Sequence, residues 1–63
     1  MKKQTRKQRI LAQYASNGWN DGILNQQMES EVYQDAKGFE AAALEARRQG
    51  YENGQAERKR RQP

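Results

Sequence analysis

Lys2, Lys3, Arg6, Lys7 and Arg9 near the start of the chain, and Arg58, Lys59, Arg60 and Arg61 near its finish, are the side chains best suited to chemistry. That chemistry is the neutralisation of phosphate. Cations that contact a nucleic-acid backbone release condensed counterions, which gives an affinity that falls steeply with salt and reads little sequence. The same residues also suit a solvated tail, or the ends of helices whose dipoles they complement. Trp19, Phe39 and Tyr51 have the aromatic faces on which exposed bases stack. In a chain of 63 residues, however, they are also needed as core.

Other chemistries lack their apparatus. The chain has neither cysteine nor histidine, so a disulfide framework, a thiolate metal site and the commonest general base are all missing. Ser16 and Ser30 are the only serines, and no glycine-rich loop with its lysine is present to cradle a nucleotide. Glu29 and Glu31 are close enough in sequence to act as a pair, but they fall beside an expected turn. The reading is therefore a binding protein, with no enzyme activity, metal or cofactor. No apolar run after the basic N-terminus reads as a secretory signal, and no window approaches the ~20 apolar residues of a membrane span. A soluble cytoplasmic protein is expected. An interfacial amphipathic helix over Thr5 to Ile23 is the membrane alternative, since it combines basic residues with a tryptophan.

Two helices are expected to position these groups. From Ile10 onward, Leu11, Ala15, Gly18 and Gly22 follow steps of four, three and four, flanked by Tyr14, Trp19 and Ile23, which predicts a first helix from about Thr5 to Gln26. Val32, Ala36, Phe39, Ala43, Ala46, Gly50 and Gly54 continue in steps of four and three, a heptad-like seam of mostly small residues. This predicts a second helix from about Glu31 to Arg58, with Ser30 as N-cap and with Glu29, Glu31 and Asp35 at the positive end of its dipole. Nothing favours strands. The expected fold is all-α: one domain over residues 1–63, a two-helix antiparallel hairpin with basic flexible ends at about 1–5 and 59–63. One continuous helix is the alternative.

In the antiparallel form the two basic ends meet in one cationic pole. Asp21, Glu29, Glu31, Asp35, Glu40 and Glu45, against Lys37, leave the turn acidic. The core is thin, and small scaffolds without disulfides or metals usually rely on a partner chain, so self-association or ordering on a larger partner is expected.

One element recurs: Gly18-Trp19-Asn20-Asp21-Gly22, Gly38-Phe39-Glu40-Ala41-Ala42 and Gly50-Tyr51-Glu52-Asn53-Gly54. On a helix, residues four apart are stacked, so Gly18/Gly22, Gly38/Ala42 and Gly50/Gly54 make flat strips for close approach of another backbone. Each such glycine costs roughly 1 kcal/mol relative to alanine, which calls for compensation in helix packing or in a partner's backbone. In a second reading, Val32, Ala36, Phe39, Ala43 and Ala46 dock on a host protein or on a second copy of the chain.

Through the first and last of these elements, each following a short run opened by Ala15 or Ala46, the chain resembles the ribosome modulation factor family. The resemblance implies a small basic two-helix protein that binds the small ribosomal subunit through rRNA, silences translation and promotes ribosome dimerisation. The contacts it implies are the basic N-terminal segment with Gly18, Trp19, Gly22, Gly50, Tyr51 and Gly54. The chain departs from that family in having no internal proline. Small phage-encoded proteins carry similar elements, which implies, as the alternative, an accessory protein acting on a host machine.

Overall fold

The computed structural model describes residues 4–61, in which α1 spans Arg6–Ile23, a single 3-10 turn spans Gln34–Ala36 and α2 spans Glu40–Arg61. No strand occurs among the described residues. Thr5 starts α1 by a capping box: its hydroxyl accepts from the Gln8 amide at 3.1 Å, while its own amide donates to Gln8 Oε1 at 2.9 Å. Two of the orphan amides at the helix start are thereby satisfied.

The end of α1 comes three residues earlier than the expected Gln26, and Asn25 is the reason. It lies at φ 58, the left-handed region that asparagine tolerates better than most residues. The Asn25 amide then donates to the Gly22 carbonyl at 3.1 Å and the Gln26 amide to the Asp21 carbonyl at 2.8 Å. This pair of bonds is a Schellman closure, which meets the last free carbonyls of the helix.

Residues 24–39 do not form the start of a second helix. They run back along the helix pair as a strap. The Glu29 amide donates to the Asp21 carboxylate at 3.4 Å, and the Tyr33 amide to the Tyr14 hydroxyl at 2.9 Å. The strap ends in a tight turn in which the Phe39 amide donates to the Ala36 carbonyl at 3.0 Å, with Lys37 at φ −57, ψ 129 and Gly38 at φ 93. Those angles define a type II turn, whose third position requires glycine. Hence α2 begins at Glu40 rather than Glu31, Ser30 is not a cap, and Glu29, Glu31 and Asp35 lie on the strap rather than in the first turn of α2. The Gly38/Ala42 strip does not form.

The core joins α1, the strap and α2. Ile10, Tyr14, Ala36 and Ala43 are buried, with Leu11, Val32, Phe39 and Ala46 packed against them. Val32, Ala36 and Phe39 thus occupy the seam as expected, but the strap and its turn deliver them.

Beyond this core the helices meet backbone to backbone. A Cβ placed on Gly18 would lie 2.9 Å from the Arg47 carbonyl carbon and 3.0 Å from the Tyr51 nitrogen; one on Gly50 would lie 2.8 Å from the Ala15 carbonyl carbon. Gly22 faces Tyr51 and Gly54, and Gly54 faces Trp19 and Ile23. These approaches are reciprocal. Gly18 meets the residue three before Gly50, and Gly50 meets the residue three before Gly18, so the repeated element is realised as a local quasi-two-fold pair.

The two-helix, all-α architecture with a small-residue seam is what the chain forms; the direction of the second helix differs from the expected antiparallel one. Facing residues climb together: Lys7 lies over the Phe39 ring, Gly18 meets Arg47, Gly22 meets Tyr51, and Gln55 bonds Asn25. The helices therefore run parallel. Only a strap that returns the full length of α1 can connect two parallel helices, which accounts for the long stretch between Ile23 and Glu40.

Candidate functional site

The parallel arrangement separates the two groups of cations. Arg6, Lys7 and Arg9 are exposed on the first turns of α1, beside the start of α2, whereas Arg58, Lys59, Arg60 and Arg61 form the last turn of α2. At 1.5 Å of rise per residue, Arg9 and Arg58 stand roughly 25 Å apart along the helix pair. The single cationic pole expected from an antiparallel hairpin is thus replaced by two, one at each end. Lys2 and Lys3 lie outside the described residues, as do Gln62 and Pro63.

Thr5 caps α1, and residues 59–61 belong to α2. At the far end α2 outruns α1. Gly54 packs against Ile23, the last residue of α1, so the turn carrying Arg58 to Arg61 projects past the seam. Within it, Arg60 and Arg61 share the Glu57 carboxylate, Arg61 at 2.9 Å, while Lys59 is exposed and Arg58 half-buried. One carboxylate set against four cations leaves this end strongly positive. The helix dipole is also complemented there, since the free carbonyls of a C-terminus favour cations.

The residues expected to bind a partner or pack helices fall on the packing side. Gly18, Gly22, Gly50 and Gly54 are buried in the seam; Ala36 and Ala43 have no exposure; Val32, Phe39 and Ala46 are partly covered. Trp19 and Tyr51, the aromatic members of the repeat, are half-buried beside it, and Tyr51 Oη accepts from Gln55 at 3.2 Å. Phe39 is half-buried under the Lys7 ammonium, 5.6 Å from its ring centre, a cation–π contact that leaves the ring little free face.

Arg47 and Tyr14 do not figure among the site residues expected from sequence. Arg47 takes the inward position between Ala43 and Gly50, which spacing alone assigns to Ala46, and it is fully buried. Its Nη1 donates to the Glu29 carbonyl at 2.8 Å and the Glu31 carbonyl at 2.6 Å, and its guanidinium lies 4.8 Å from the centre of the Tyr14 ring. Tyr14 is 2% exposed; its hydroxyl donates to Asp35 at 2.9 Å and accepts from the Tyr33 amide. One side chain from each helix thus fastens the strap. The 4-3-4 step of Ala43, Arg47, Gly50 and Gly54 is the signal that marks Arg47, but its charge argues for solvent.

Electrostatics around the strap follow from these bonds. Burial pushes the Tyr14 phenol above its usual range, and the adjacent Asp35 carboxylate adds to this, while the hydrogen bond from the Tyr33 amide opposes it. The Tyr33 phenol is raised chiefly by its hydrogen bond to Glu29. On the exposed face of α2, Arg48 bonds both Glu45 and Glu52, and its hydrogen bond holds Glu45 below the usual carboxylate range. No pocket and no cluster of three acidic side chains able to hold a metal ion occurs among the described residues. No helix among them is long and apolar enough to cross a membrane.

No family model, curated protein or solved structure matches the chain.

Proposed function

We propose that the chain is a non-enzymatic RNA-binding protein of the cytoplasm whose two cationic helix ends neutralise phosphates, acting on the ribosome to modulate translation. The projecting last turn of α2, with four cations against the single Glu57 carboxylate, supports this reading most directly. A helix end that stands clear of its neighbour can approach a phosphate backbone without steric conflict. The acidic strap, with Glu29, Glu31 and Asp35, keeps a polyanion away from the middle of the molecule. With the strap in place, binding is thereby directed to the ends.

The competing reading, capture of a host protein or a second copy through Val32, Ala36, Phe39, Ala43 and Ala46, would draw on residues already engaged in the chain's own core. Replacing Arg58, Lys59, Arg60 and Arg61 by glutamine separates the two. Binding to a single-stranded RNA should weaken, and the slope of log K against log salt should become shallower by about 0.7 for each phosphate that is no longer neutralised. An unchanged slope would remove the C-terminal turn from the interface. Replacing Arg6, Lys7 and Arg9 by glutamine should subtract a further, independent share, because the two ends are too far apart to share a phosphate.

A further inference from the structure

The guanidinium of Arg47 is fully buried, yet none of the ion pairs among the described residues involves it. Its Nη1 is spent on two strap carbonyls, while Nε and Nη2 have no hydrogen-bond partner. Those two nitrogens lie on one edge of the guanidinium and point the same way, the fork that meets two oxygens of an oxyanion. A buried cation with three of its five N–H donors unmet is costly, so the closed strap is held against an electrostatic penalty.

We infer that Arg47, with Tyr14 beside it, is a phosphate-binding site closed by the 24–39 strap and opened when the strap lifts. With the strap in place, the Tyr14 hydroxyl is occupied by Asp35 and the Tyr33 amide. Lifting removes both partners at once. It frees the hydroxyl of the ring that the guanidinium lies over, and it releases Nη1 from the Glu29 and Glu31 carbonyls. The Nε/Nη2 fork can engage two oxygens of a phosphate at once, whether that phosphate is a terminal group or a phosphodiester. The strap is then an intramolecular rival of the ligand, and the measured affinity is reduced by the fraction of molecules that are closed.

The site stands whether or not the basic ends hold RNA, and one experiment reads it directly. In 15N-labelled wild-type protein, the Arg47 Nε–H resonance and the exchange protection of the Tyr33 amide are followed during addition of inorganic pyrophosphate and, separately, of a single-stranded RNA oligonucleotide. A saturable shift of Arg47 Nε–H, with Tyr33 protection falling about tenfold, is expected. A response to pyrophosphate alone identifies a small phosphate as the ligand; a response to RNA identifies a backbone phosphodiester. Asp35→Ala frees the Tyr14 hydroxyl and loosens the strap without touching the fork, so it should tighten binding about fivefold. Arg47→Lys keeps the charge but lacks the fork, so the fall in Tyr33 protection on adding the ligand should disappear. An Arg47 Nε–H signal that stays put while the exposed Arg60 and Arg61 signals shift would overturn the site, and an Asp35→Ala protein with unchanged affinity would overturn the strap's role as its competitor.

Discussion

Gly18 and Gly50 each admit the carbonyl of the opposite helix where any side chain would collide with it. Alanine at either position gains about 1 kcal/mol in helix propensity but must displace backbone, and overpacking of a close seam costs about 1–3 kcal/mol or more. Gly18→Ala should therefore lower the stability measured by urea unfolding, by about 2 kcal/mol, which a chain of this size can hardly absorb. Gly38→Ala is the contrast. Nothing lies within 4 Å of a Cβ there, so its cost comes from φ 93 alone, about 1–2 kcal/mol. At this scale the sequence was partly legible. The glycine-aromatic repeat identified Gly18, Gly22, Gly50 and Gly54 as a close-approach strip, but the copy at Gly38 uses the same residue types for a turn. Arg47 escaped because a charged residue in a seam reads as solvent-facing until the strap that covers it is known.

Among the elements, α1 is announced by Thr5 and Gln8 three residues apart, and Thr5→Ala should cost about 1 kcal/mol in thermal or urea unfolding. The strap had no such announcement. The four-and-three spacing from Val32 to Gly54 passes through it unbroken, because Ala36 and Phe39 reach the core from a turn at positions where a helix would also have placed them. Two features carry the break instead: Asn25 in the left-handed region and Gly38 in a type II turn.

Tyr14 makes the strap's attachment sensitive to alkali. Its proton is held more tightly in the folded chain than in the unfolded one, because burial disfavours the phenolate. The stabilisation is full below the ordinary phenol value, about pH 10, and is lost as pH rises through the higher value of the folded state. Urea unfolding should show a steady stability between pH 7 and 9 and a decline above about pH 10. Tyr14→Phe should lose about 1–2 kcal/mol at neutral pH and show a weaker alkaline decline. A decline of equal size in Tyr14→Phe would assign it to another group.

For the whole molecule, direction decides what the charges can do. Composition and the charge blocks already separate basic ends from an acidic middle, and all-α character follows from the periodicity. Whether the second helix returns or runs alongside depends on how many residues the connection keeps for itself, and that rests on two backbone angles rather than on any pattern of residue types. Parallel helices turn one expected cationic pole into two, at opposite ends of a body 40 Å long. The most direct test is a distance. The chain has no cysteine, so Gln8→Cys/Lys59→Cys can be spin-labelled cleanly and the pair measured by pulsed electron resonance. Parallel helices predict a separation of roughly 30 Å, from the rise between the two levels. A separation within about 15 Å, as side-by-side ends of an antiparallel pair would give, would contradict the account.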